Sequence, residues 1–76
     1  MEERIIEILR EIKENVDYRT EDRLVDGGIL DSFDVVALVS ELKGEFEIEI
    51  GIEDLTPENF NSVGTICNLV RRLQEE

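Results

Sequence analysis

The chain has no histidine and no tryptophan, and among its 76 residues there is one cysteine, Cys67, and one proline, Pro57. Each shortage removes a class of chemistry. Without histidine there is no Ser-His-Asp or Cys-His nucleophile system, and a lone cysteine forms neither an internal disulfide nor, with no histidine, a Cys/His zinc site. Basic residues are also scarce: 8 Lys and Arg stand against 20 Asp and Glu, for a formal charge of -12 and a pI near 4.2. Nucleic acid is therefore excluded as a partner, because displacing phosphate counterions requires Lys and Arg, and anionic membrane surfaces are disfavoured on the same ground. No apolar run approaches the roughly 18 residues of a membrane span, and the N-terminal Met-Glu-Glu-Arg lacks the basic and apolar regions of a signal peptide. A cytoplasmic monomer with no membrane insertion is expected.

What the sequence does contain is 41 % apolar residues, more than a disordered acidic tail carries and enough for one modest core. At this length the whole chain, residues 1 to 76, forms one domain. Ile5, Ile8, Leu9, Ile12 and Val16 recur at helical spacing between acids, which predicts an amphipathic helix over about residues 2 to 15. From Asn15 to Asp31 the stripe stops. Asp17, Thr20, Asp22, Asp26 and the Gly27-Gly28 pair favour turns there, with Leu24, Val25, Ile29 and Leu30 as apolar pins of a long loop. The acids of this loop do not follow the spacing of an EF-hand calcium loop.

A second helix is expected to start within a residue of Ser32, where Asp31 and Ser32 are both strong N-cap types, and to end near Gly44 or Glu45. At about 100° per residue, Val35, Val36, Val39, Leu42 and Phe46 centre on one face, expected to be the core face. Asp34, Glu41 and Glu45 form an acidic stripe flanked by Leu38, and Phe33 points away from the core. The segment Phe46-Glu-Ile48-Glu-Ile50-Gly-Ile52 alternates like a strand, but no second alternating segment exists to pair with it. It is expected to be an extended loop pinned by Ile48 and Ile50, with Ile52 a further candidate. Thr56-Pro57 predicts a short third helix or turn over Pro57 to Phe60, and Ser62 caps a fourth helix with Val63, Ile66, Cys67, Val70 and Leu73 inward. The fold class is thus all-α: a small bundle of four helices, three long and one short, with a long loop between the first two. Cys67 reads as a small core residue.

Ser32 is the one hydroxyl placed where chemistry is plausible: at a helix start, after Gly-Gly and between two aspartates. On Asp-Ser alone it would be an ordinary N-cap. It has no histidine as base, and Lys43, the only basic residue between Leu24 and Val70, lies about three turns along the same helix. A functional Ser32 must be modified by another protein.

Gly28-Ile29-Leu30-Asp31-Ser32-Phe33, followed by Val36, Val39, Leu42, Glu45-Phe46 and Glu49-Ile50, resembles the acyl carrier protein family, with Phe33 in place of the commoner leucine. The Leu55 to Val63 stretch is similar to stand-alone carriers, including the D-alanyl carrier subgroup. The resemblance implies a non-enzymatic carrier of the kind used in fatty-acid or secondary-metabolite biosynthesis. It implies 4'-phosphopantetheine attached to Ser32 by a phosphopantetheinyl transferase from coenzyme A. It further implies an acyl or aminoacyl cargo held on the arm as a thioester, loaded by an acyl- or aminoacyl-ligase and consumed by a downstream transferase or synthase. No catalytic residue and no resident metal are expected. Residues 24 to 70 hold ten acids and one base, a net of -9, a field that steers basic partners toward Ser32. Recognition is accordingly expected at Asp31, Phe33, Asp34, Glu41 and Glu45, with Leu38 at the margin. The competing reading is an unmodified acidic module that docks basic partners through the second helix.

Overall fold

The computed structural model describes residues 1–75. Its elements are α1 (Glu2–Ile12), α2 (Ser32–Phe46), a 3₁₀ turn over Ile52–Asp54, α3 (Pro57–Phe60) and α4 (Val63–Gln74). Three long helices, one short one and no strand among the described residues give the all-α bundle expected from the spacing. α1 packs against both α2 and α4, and α3 against α4. A helix with neighbours on two sides needs a broad apolar face, and α1 supplies it by burying Ile6 beside Ile5, Ile8 and Leu9.

The long first loop is pinned as its composition suggests: Leu24 and Leu30 are buried, and Val25 and Ile29 pack partly against the same core. α1 stops at Ile12 rather than near residue 15. Beyond it Lys13 is extended, Asn15 takes a left-handed φ of 64°, and the buried Tyr18 donates its hydroxyl hydrogen to the carbonyl oxygens of Leu9, at 3.2 Å, and Lys13. Leu9 O also keeps its helical bond from Lys13 N at 2.8 Å, whereas the Lys13 carbonyl, which a continuing helix would use, is taken by the hydroxyl where the chain turns out of the helix. Val16, placed on the α1 stripe by spacing, instead packs from the loop.

α2 departs from its expected orientation in one respect that matters for the site. Leu38 and Leu42 are its buried residues, Val35, Val39 and Phe46 are half-buried, and Val36 is 66 % exposed. The inward stripe therefore runs through 35, 38, 39, 42 and 46, an unbroken i, i+3, i+4, i+7, i+11 series. Leu38 belongs to the core and not to the margin of a recognition surface, and Val36 lies outside the core face. Apolar residues nearly surround the first two turns of α2, so a face assigned by averaging them rotates toward Val36. The alternating segment forms no strand among the described residues: Phe46 ends α2, Glu47 takes a left-handed φ of 53°, Ile48 is buried and Ile50 half-buried, whereas Ile52 opens the 3₁₀ turn, is 86 % exposed and pins nothing. α4 opens with Ser62 accepting from Thr65 N at 3.1 Å, and buries Leu69 in addition to the expected Val63, Ile66, Cys67 and Val70.

Candidate functional site

The start of α2 is capped by Asp31 and not by Ser32. Asp31 Oδ1 accepts from Asp34 N at 2.9 Å, while Asp34 Oδ2 accepts from Asp31 N at 3.2 Å. Two carboxylates therefore do reciprocally what a capping serine would do, with Ser32 left as the first helical residue. Its side chain is exposed, and among the described residues its hydroxyl makes no hydrogen bond.

Asp34 is held by more than the box. Lys13 Nζ lies 3.3 Å from its Oδ2, joining the end of α1 to the start of α2. Partial burial pushes the Asp34 carboxyl up, but the Asp31 amide and the Lys13 ammonium outweigh it and hold the group below the ordinary carboxylate range. It stays charged at neutrality, where it also favours the positive end of the helix. The approach to Ser32 is built by the 24–30 loop. Gly28 takes a φ of +78°, open to glycine at little cost, and a Cβ at Gly27 would come within 2.5 Å of the Arg23 carbonyl oxygen. The Gly-Gly pair thus permits a tight turn in which Leu30 N donates to Leu24 O at 2.8 Å and delivers the chain to Asp31.

Beside Ser32 lies an open groove of about 340 Å³, lined by Val25, Leu30, Val35 and Val36 on one part and by Leu55, Thr56, Pro57 and Phe60 on the other. Two of its walls are exposed apolar side chains, Val36 at 66 % and Leu55 at 44 %, and Phe33, next to Ser32 in sequence, is 86 % exposed. Scattered apolar residues on a surface need no explanation, but a group placed around one free hydroxyl does.

Of the residues expected at a recognition surface, Asp31, Phe33, Glu41 and Glu45 are exposed and Asp34 is partly buried. Glu45 is ion-paired with Arg4 at 2.9 Å, and Asp31 and Asp34 are engaged with one another at the cap. Leu38 is buried. Val36 and Ile52, which their spacing places inward, are exposed, and so is Leu55, for which spacing gives no orientation. The available signal was an excess of apolar positions over those one helix face can bury. Cys67 is buried, and burial pushes its thiol up against a weaker opposing pull from Arg71, so it stays protonated at neutrality and inert. Among the described residues no group of three or more His, Cys, Asp or Glu is arranged to hold a metal ion, and no helix is long and apolar enough to cross a membrane.

A free, exposed serine hydroxyl fits a covalent phosphodiester, since its attachment disturbs no existing hydrogen bond and the apolar groove gives the first part of an arm somewhere to lie. Comparison with known proteins agrees. Residues 3–70 match the family model described as "Phosphopantetheine attachment site". The chain is 37 % identical over 75 residues to the D-alanyl carrier protein of Streptococcus uberis, covering 97 % of this chain and 95 % of that one. It is 35 % identical, with the same coverage, to the D-alanyl carrier protein of Streptococcus pyogenes. The chain belongs to the phosphopantetheine-attachment family: it is a carrier protein whose prosthetic group is 4'-phosphopantetheine.

Proposed function

We propose that Ser32 is the attachment point, modified by a phosphopantetheinyl transferase that draws the group from coenzyme A. The observation that carries this reading is the Asp31–Asp34 box, which relieves Ser32 of capping and leaves its hydroxyl exposed at the head of α2. The chain has no histidine, so the base that takes the Ser32 proton comes from the transferase. When bound, the arm supplies a terminal thiol that carries cargo as a thioester. This chain's own part is to present the arm to a loading ligase and to a consuming transferase or synthase, which favours weak and fast contacts.

The same reading assigns a D-alanyl group, or a small aminoacyl group like it, as the cargo. Its support is the likeness to two D-alanyl carriers over nearly the whole chain. Recognition falls to Phe33 and Val36 beside Ser32, with Glu41 as a charged contact. Asp31 and Asp34 act by shaping the helix start, and Glu45 is available to a partner only in exchange for Arg4. An unmodified docking module is not favoured, because it gives no reason for the free hydroxyl or for the family match.

Intact mass tests both levels. After incubation with coenzyme A, magnesium and a broad-specificity transferase, the wild-type chain gains one phosphopantetheine and Ser32→Ala gains none; modification of Ser32→Ala would refute the assignment. The modified chain then gains one alanyl group from D-alanine, ATP and a D-alanine-activating ligase. Loading with a fatty acid by a fatty-acyl ligase instead would overturn the cargo and leave Ser32 standing.

A further inference from the structure

Asn61 sits between α3 and α4, directly after Phe60, which lines the groove beside Ser32. Its side chain reaches across to the first loop. Asn61 Oδ1 accepts from Val25 N and Asp26 N, both at 3.0 Å, and Asn61 Nδ2 donates to Asp26 Oδ2 at 2.9 Å. Its own carbonyl accepts from Leu24 N at 2.9 Å. The loop it grips is a closed unit, with Gly27 N on Arg23 O at 2.6 Å, Gly28 N on Val25 O at 3.0 Å and Leu30 N on Leu24 O at 2.8 Å. That unit hands the chain to Asp31 and Ser32, and its Val25 and Leu30 line the groove together with Phe60.

α3 has only four residues, too few to hold a position by helical cooperativity. Buried Phe60 anchors α3 on the core, and the direct hydrogen-bonded tie from the α3–α4 junction to the loop wall is Asn61. Buried Leu24 and Leu30 keep the loop on the core without it, so its loss loosens the loop locally and leaves the bundle folded.

We propose that Asn61 is a positioning residue: by clamping the 24–30 loop to the α3–α4 junction, it fixes the entry to α2 in the pose in which an outside transferase takes Ser32. The proposal rests on Ser32 being the attachment point. An asparagine suits the clamp because its planar amide holds an acceptor for the two amides and, on a separate atom, a donor for the Asp26 carboxylate. Asn61→Asp keeps shape and acceptor but sets two carboxylates against each other. Asp26→Asn combined with Asn61→Asp restores the clamp with the donor on the opposite side, at unchanged net charge.

The experiment measures initial rates of phosphopantetheine transfer from coenzyme A against carrier concentration, well below every variant's melting transition, with amide hydrogen exchange on the same samples. In Asn61→Asp the KM for the carrier rises about threefold to tenfold while kcat stays within about twofold, because opening lowers the fraction of molecules competent to dock. Val25 and Asp26 amides exchange faster, and those of α1 and α4 do not. The double variant returns KM to within about twofold of wild type. A purely structural role would leave KM unmoved at temperatures where all variants are folded. Unchanged KM in Asn61→Asp with both amides deprotected, or a folded double variant that does not recover, overturns the clamp alone. A wild-type chain that takes up no phosphopantetheine overturns the Ser32 reading and the clamp's role with it.

Discussion

Whether the Ser32 hydroxyl is free depends on the residue before it. Asp31 occupies the cap, and its carboxylate is the acceptor that Asp34 N would otherwise lack. Replacing Asp31 with alanine removes that bond and leaves Ser32 as the nearest side chain able to serve. The expected cost is about 1 kcal/mol in urea unfolding, and Asp31→Asn recovers most of it. Asp34 answers to pH. Its carboxyl has an ordinary value in the unfolded chain and a lowered one in the folded chain. The stabilisation it gives is therefore complete above the unfolded value and disappears as pH falls through the folded one. In an NMR titration the Asp34 midpoint lies below that of an unstructured aspartate, and Lys13→Met moves it upward; a midpoint indifferent to Lys13 would remove the ion pair from the account. Tyr18 acts on the other side of the same junction. Tyr18→Phe leaves the ring buried but strips the Lys13 carbonyl of its donor, while Leu9 O keeps its bond from Lys13 N, and a loss of about 1 kcal/mol is expected.

Two elements show how far spacing carries and where it stops. The interleaved acids and aliphatics of α1, the Thr56-Pro57 start of α3 and the Ser62 cap of α4 are local signals, and the structure follows them. The end of α1 is not local, since it depends on Tyr18, an aromatic set within a loop whose partners are revealed only by folding. The phase of α2 fails for a different reason. In its first two turns Phe33 and Val36 put apolar side chains outside as well as inside, and an amphipathic stripe is legible only where one side is polar. That ambiguity marks the surface assigned here to partner recognition, so local rules break where a function intervenes. Ser32 and Phe33 stand out in the sequence as candidate site residues, whereas the groove walls Leu55 and Phe60 come from another part of the chain and do not. The phase has a direct mutational test. Leu38→Ala should cost about 2–5 kcal/mol as a core truncation, while Val36→Ser should change stability by less than about 0.5 kcal/mol. Reversal of that order would return α2 to the orientation its average hydrophobicity suggests.

Charge works on the molecule as a whole. Most cations are committed to local pairs: Arg4 to Glu7 and Glu45, Lys13 to Asp34, Arg19 to Glu2 and Glu3, Lys43 to Glu49, and Arg72 to Asp54. These are exposed or half-exposed contacts, each contributing little. What they leave is a net of -12 on 76 residues, and Glu41, Glu47, Glu53 and Glu58 have no ion-pair partner among the described residues. Such a charge speeds encounter with basic enzymes and repels itself within the compact state. Salt acts on both effects in opposite directions. Going from about 10 mM to about 0.5 M sodium chloride shortens the screening length from about 30 Å to a few ångströms, so the melting temperature should rise while the association rate with a basic transferase falls. Divalent cations should raise melting at lower concentration. Mild acid should raise it too, until Glu3, lowered by its bond with Arg19, and Asp34 give up their charge, below which it should fall. Thermal melts followed by circular dichroism across that salt range decide the matter: a midpoint unmoved or lowered by salt would mean that local pairs outweigh the repulsion, and the field around Ser32 would lose its place in partner capture.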